Sequence, residues 1–162
     1  MEYNLNKAHY ISVTVIVKKE DKYLITKRAD WEKNFPGKWT VPGGKLEMSD
    51  YINTPKDTKD HWYNIFERVA KREIQEEVGI NIKNVRYLTS MAFVRSDGIP
   101  SIIVSLYADY DSGEINLQNS MSDFAWVSFE ESKNYDLIEG IYEELKMLDS
   151  YFKSGIYNEW HK

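Results

Sequence analysis

At 162 residues the chain is long enough for one hydrophobic core, and an apolar share of 42% with 14% aromatics is that of a globular protein rather than a disordered one. The net charge of −5 argues against bulk DNA or RNA binding but leaves a small phosphorylated substrate open, provided a cation stands between it and the acidic protein. The absence of cysteine removes disulfides, thiolate metal sites and cysteine nucleophiles together and fits a reducing, cytoplasmic setting, and no segment reads as a secretory leader or a membrane span.

From Tyr10 to Val17 the run YISVTVIV is β-branched and almost continuously apolar, which predicts a buried strand. After the charged turn KKEDK, the run YLITKR predicts its antiparallel neighbour. A loop from Ala29 to Lys38 contains the breaker pair Pro36-Gly37. The short strand KWTV then enters a second breaker set, Pro42-Gly43-Gly44, expected to be a tight turn at a strand end. Residues Tyr51 to Asn64 are polar with a central proline and no clean period, so they are expected to form an excursion before a helix over Ile65–Val78. Gly79 stands where a left-handed helix cap is wanted. Strands are expected at VRYLTSMAFV and SIIVSLYADY, followed by a loop from Asp111 to Ser122 and a short strand FAWVSF. Leu137, Ile138, Ile141, Leu145 and Leu148 recur at helical spacing and predict a closing amphipathic helix over Asp136–Phe152.

The helix Ile65–Val78 ends in an acidic cluster, Glu73, Glu76 and Glu77. On a wheel of about 100° per residue, Phe66, Ala70, Ile74 and Val78 form an apolar arc. Glu77 falls inside that arc, Glu73 at its border and Glu76 one step further round. An ionised carboxylate withdrawn from water needs a cationic partner, and the neighbouring Arg72 cannot neutralise three. Hard oxygen ligands at i, i+3 and i+4 suit Mg²⁺ or Mn²⁺. If the Gly43-Gly44 turn lies beside the helix, a backbone carbonyl can join the coordination shell and the missing side chains let a phosphate approach.

The run Arg72-Glu73-Ile74-Gln75-Glu76-Glu77-Val78-Gly79-Ile80 resembles the second half of the signature of the Nudix hydrolases, MutT-like proteins whose motif reads G-x5-E-x7-R-E-U-x-E-E-x-G-U with U a bulky aliphatic. WTVPGGKLE is similar to the strand and glycine turn that open the motif, and the flanks agree from about His9 to Phe152. The departure lies between the halves: Asp50 stands at the position of the first glutamate, and Tyr51–Asn64 reads as an insertion before the helix. The resemblance implies an α+β fold, an α/β/α sandwich with a mixed central sheet between helices, as a single domain over residues 1–162.

It also implies a divalent-metal-dependent hydrolase of a pyrophosphate linkage in a nucleoside diphosphate derivative or nucleoside triphosphate, with Glu76 and Glu77 as main metal ligands. Glu73 would be a further ligand or the base, Gly43 would give its carbonyl, and Arg72 would hold the glutamates. A base from a later loop is the alternative, with Glu114 and Asp123 as candidates. Arg28, Phe35, Gly44 and Trp62 are the substrate-binding candidates. A non-catalytic nucleotide-binding domain on the same scaffold is the competing reading. An antiparallel sheet edge or the aromatic loops would offer a homodimer surface.

Overall fold

The computed structural model describes residue 4 and residues 6–161. Among these, a seven-stranded mixed sheet is built from β1 (Tyr10–Lys19), β2 (Lys22–Arg28), β3 (Trp39–Thr40), β4 (Gly43–Lys45), β5 (Asn81–Val94), β6 (Pro100–Ser112) and β7 (Met121–Val127). Its main path runs β3-β2-β1-β6-β5, with β4 added to β1 and β7 to β2. Of the described strands, β1 and β6 pair in parallel, from Tyr10 opposite Ser101 to Lys18 opposite Asp109, and the other pairs are antiparallel. β1 and β2 pair at their shared hairpin, Lys18 with Tyr23 and Lys19 with Lys22. Further along, β4 takes the place beside β1, and this is how the glycine turn reaches the middle of the sheet.

Helix α1 (Ile65–Val78) covers one face and α3 (Ile141–Ser154) the other, with a short α2 (Phe129–Ser132) between β7 and α3. Alternation along β1 sends Val13, Val15 and Val17 to the α1 side, where they meet Val69, Ala70, Ile74 and Val78. Ile16 faces the other way, into a second core with Tyr23, Ile25, Leu88, Leu145 and Leu148. The expected α/β/α layering with a mixed sheet is the observed architecture. Gly79 caps α1 at φ +80°, its N–H donating to the carbonyls of Ile74 and Gln75.

The closing helix differs from the expectation. It begins at Ile141, not at Asp136, and runs to Ser154. Gly140 at φ +95° breaks the helical geometry. Before it the chain lies extended against β3, with Trp39 N–H donating to Asp136 O and Ile138 N–H to Trp39 O. Leu137 and Ile138 have helical spacing with Ile141 and Leu145, but two backbone bonds to a strand outcompete it. The loop expected over Asp111–Ser122 is shorter, because β6 continues to Ser112 and β7 starts at Met121. α2 carried no apolar period, yet its capping box was readable: Ser128 Oγ accepts from Glu131 N–H and Glu131 returns the bond to Ser128 N–H.

One carboxylate lies inside the α3 core. Glu144 is 1% exposed, and burial pushes its pKa up to about 7, a hydrogen bond from Ser105 offsetting part of that rise. A carboxyl group whose proton is held more tightly in the folded state makes folding less favourable as pH rises from its ordinary value, near 4.5, to about 7. Replacing Glu144 by leucine is therefore expected to raise stability by roughly 3 kcal/mol more at pH 8 than at pH 4. Denaturant titrations of both proteins across that range would detect it, and a pH-independent difference would contradict the assignment.

Candidate active site

The site is assembled from β4 and the second half of α1. At Gly44 an added Cβ would lie 2.0 Å from Glu73 Cδ, so the glutamate carboxyl occupies the space that any other residue would fill. At Gly43 the same atom would sit 2.2 Å from Val13 O, because β4 presses onto the backbone of β1. The two glycines thus serve different contacts, one toward the helix and one toward the sheet.

The three glutamates sit in three environments. Glu73 is 9% exposed, Glu77 half-buried and Glu76 exposed. The wheel placed Glu77 deepest; Glu73 is more enclosed because β4, lacking a side chain at Gly44, closes over it. Burial raises the pKa of both enclosed carboxyls, that of Glu77 to about 7, against a Gly43 N–H that donates to Glu77 Oε2 at 3.0 Å and lowers it.

Arg72 is the hub. Its Nε meets Asp50 Oδ1 at 2.5 Å, and Nη1 lies 2.8 Å from Glu73 Oε1 and 3.0 Å from Glu76 Oε2. Nη2 donates to Lys45 O at 3.0 Å. Burial alone would lower its proton affinity, but the bonds to Asp50 and Glu76 and the charge of Glu73 raise it further. Three carboxylates share one guanidinium, while Glu77 is met by an amide N–H and the nearby charge of Arg28.

Asp50, read from the sequence as standing at the signature's first glutamate, is bonded to Arg72. It sits on a single 3₁₀ turn, Met48–Asp50, where its Oδ2 accepts from Glu47 N–H at 2.7 Å and its side chain is 3% exposed.

Residues Tyr51–Asn64, read from the sequence as an insertion, form a loop fastened to α1. Arg68, one turn before Arg72, donates to Thr54 Oγ1 and Asp57 Oδ2, each at 2.9 Å. Trp62, expected as a substrate-stacking ring, spends its contacts inside the insertion: its indole N–H donates to Thr54 O, Tyr51 packs on its ring, and Lys56 lies over it.

Arg28 closes the β2 end of the site, bonded to Glu32 Oε2 at 2.9 Å and Asn34 O at 2.7 Å. Phe35 is exposed on the loop after β2, held at φ +52°. Among the described residues neither alternative base is bonded to a glutamate of α1. Glu114 lines an open groove of about 320 Å³ with Lys19, Tyr110, Phe124 and Trp126. Asp123 lies on β7 opposite Lys27 and accepts from the N–H of Phe124.

Among the described residues no three acidic or histidine side chains converge into a preformed cage, since Glu73 and Glu76 turn to Arg72 and Glu77 to Gly43. The donor set nevertheless fits a hard divalent cation: carboxylates only, two of them withdrawn from water with raised proton affinity, and too few positive charges to neutralise them.

The chain is 33% identical over 116 residues to an NAD-capped RNA hydrolase NudC of Photobacterium profundum, covering 70% of this chain but 36% of that protein. It is 29% identical over 135 residues to a nucleoside triphosphatase NudI of Escherichia fergusonii, covering 77% and 86%. The chain therefore spans a little over a third of the length of the NudC relative and most of the NudI one. A MutT NUDIX hydrolase structure from Burkholderia pseudomallei superposes with a TM-score of 0.67 at 20% identity, over 86% of this chain and 98% of that one. A NUDIX domain of Shewanella oneidensis NrtR, in complex with ADP ribose, gives 0.63 at 17%, over 93% and 90%. The family model for the NUDIX domain matches residues 8–147, and the chain belongs to that family.

Proposed function

We propose that this chain is a divalent-metal-dependent hydrolase of the pyrophosphate linkage in a nucleoside diphosphate derivative or nucleoside triphosphate. The observation that carries the reading is the Glu73 carboxyl seated in the Cβ space of Gly44 while sharing Arg72 with Asp50 and Glu76. A purely structural acidic face has no use for a buried glutamate that forbids a side chain on the neighbouring strand.

Glu73, Glu76, Glu77 and the carbonyl of Gly43 are the groups that would hold Mg²⁺ or Mn²⁺. The cation, when bound, supplies charge neutralisation of the pyrophosphate and a more acidic water. Arg72 keeps the carboxylates aimed by charge-assisted hydrogen bonds, and Asp50 fixes Arg72. Glu73, enclosed and with raised proton affinity, is the base we favour over Glu114 and Asp123. Arg28 is the phosphate-binding cation at the open end, and Phe35 and Gly44 border the substrate; Trp62 would act through the insertion. The names of the NudC and NudI relatives support a nucleotide substrate, and the acidic net charge supports a small one over a nucleic-acid chain. We read residues 9–152 as the core of one domain with Tyr51–Asn64 inserted. We take the location as cytoplasmic, on the lack of cysteine and because no helix among the described residues is long and apolar enough to cross a membrane. β5, at one end of the main strand path, is the surface for a homodimer.

The test is phosphate release from nucleoside triphosphates, ADP-ribose, dinucleoside polyphosphates and nucleotide sugars, with and without Mg²⁺. Glu73→Gln and Glu76→Gln are expected to lower metal-dependent turnover by roughly a hundredfold or more. Nucleotide binding with no cleavage by the wild type would make this a binding module instead. Gly44→Ala should match Glu73→Gln in activity while losing about 1–3 kcal/mol of stability, since the methyl and the carboxyl cannot share one space. Asp50→Asn should cost about 10- to 100-fold in turnover, with the apparent metal affinity falling alongside; unchanged metal affinity would detach Asp50 from the site.

A further inference from the structure

Arg72 is not the only arginine that α1 turns toward the chain leading into it. Arg68, one turn earlier on the same side of the helix, grips the loop over Tyr51–Asn64 at two places. Its Nη1 donates to Thr54 Oγ1 and its Nη2 to Asp57 Oδ2, each at 2.9 Å. A guanidinium stays charged and has no lone pair to offer, so Thr54 Oγ1 must accept from it. The threonine proton is then free for another partner, and Thr54 Oγ1 donates it to Tyr51 O at 2.8 Å. Thr54 N–H donates to the same carbonyl at 2.9 Å.

Tyr51 follows Asp50 directly. A path of bonds therefore runs from Arg68 through Thr54 to the residue next to the carboxylate that Arg72 holds at 2.5 Å. Asp50 depends on its backbone being held. Its side chain is 3% exposed and has two torsions where a glutamate would have three, so a shift of the Met48–Asp50 turn passes straight to the Arg72 contact. The second arm works from the far end of the loop. Asp57 Oδ2 also accepts from Tyr63 N–H at 2.9 Å, and Arg68 N–H donates to Asn64 O at 3.0 Å, so one residue ties both the entry and the exit of the loop. As an ion pair, Arg68–Asp57 adds little to global stability, because the two side chains are 30% and 44% exposed. What it supplies is placement.

We propose that Arg68 is a positioning residue of the candidate site: by holding Thr54 and Asp57 it keeps the Met48–Asp50 turn on α1, Asp50 on Arg72, and Glu73 and Glu76 aimed for a divalent cation. Arg68 touches neither cation nor substrate and acts through Asp50 and Arg72. The link to the cation rests on the metal-dependent reading above, whereas the link from Arg68 to Asp50 and Arg72 does not. A plain loop staple would fasten Tyr51–Asn64 to α1 and leave the Arg72 bonds as they are.

The test has two readouts, one of them without metal. In metal-free protein, NMR follows hydrogen exchange of the Arg72 Nε proton, which is donated to Asp50 Oδ1; the Arg28 Nε proton, donated to Asn34 O in another loop, is the control. Calorimetry then measures the binding of Mn²⁺ alone. Arg68→Ala is expected to speed exchange at Arg72 Nε roughly tenfold, to leave Arg28 Nε unchanged, and to weaken Mn²⁺ binding by about tenfold. Thr54→Val keeps the Arg68–Asp57 ion pair but breaks the path to Tyr51 O, so it should act in the same direction, and it decides if circular dichroism shows Arg68→Ala to be unfolded. On an Asp50→Ala background, Arg68→Ala should cost no more than about twofold further in Mn²⁺ affinity, since the path it acts through is gone. Unchanged exchange at Arg72 Nε in the folded variants overturns the proposal. So does a rise matched at Arg28 Nε, faster exchange with Mn²⁺ bound as tightly as before, or a full multiplicative loss on the Asp50→Ala background. If the wild type neither binds Mn²⁺ nor hydrolyses a nucleotide, the metal reading falls and exchange at Arg72 Nε still decides on Arg68; Mn²⁺ binding and hydrolysis with exchange unchanged do the reverse.

Discussion

One guanidinium organises the candidate site of this molecule. Arg72 is tied to Asp50 before the insertion, to Glu73 and Glu76 on its own helix, and to the backbone of Lys45 on β4. These four partners come from three segments of chain. The closeness of helix to strand, the burial of Glu73 and the need for glycine at position 44 all result from bringing them to one point. Concentrating negative charge in this way is unfavourable unless cations answer it. Arg72 answers part of it, and the uncompensated remainder gives the site its chemistry.

The loop over Tyr51–Asn64 is held both from within and from α1. Its internal bonds, Trp62 to Thr54 and Tyr63 to Asp57, let it hold its own shape, and Arg68 clamps it to α1. Closing a longer loop costs only slowly more entropy, and local bonding offsets that cost. Asp50 stands at its entrance, bonded to Arg72, and Asn64 at its exit, in the left-handed region at φ +55°.

Much of this was legible in the sequence, for identifiable reasons. α1 was readable to the residue because its apolar period, its glycine stop and the signature run coincide on one segment. The glutamate cluster and the paired glycines were readable because the chemistry they suit demands those residue types close together. The relative depth of Glu73 and Glu77 was not, since a wheel reports angle but not which strand closes over the helix. The start of α3 was misread because helical spacing at Leu137 and Ile138 says nothing about β3 competing for the same backbone. Glu144 was hidden by its own context: one acid among several on a helix carries no signal until the face opposite it is known to hold serine and threonine.

The parallel pairing of β1 with β6 joins residues about ninety positions apart, and the bridge between Trp39 and Leu137 joins residues almost a hundred apart. Contacts of such reach must overcome loop-closure entropy before they contribute, so this topology belongs among the slower-folding arrangements. As the chain leaves the ribosome, the signature helix and glycine turn emerge well before the strand that completes β1's surroundings and the segment that braces β3. The pieces of the candidate site are therefore present in the growing chain long before there is a sheet rigid enough to aim them, and the fold that positions them is complete only with its last quarter.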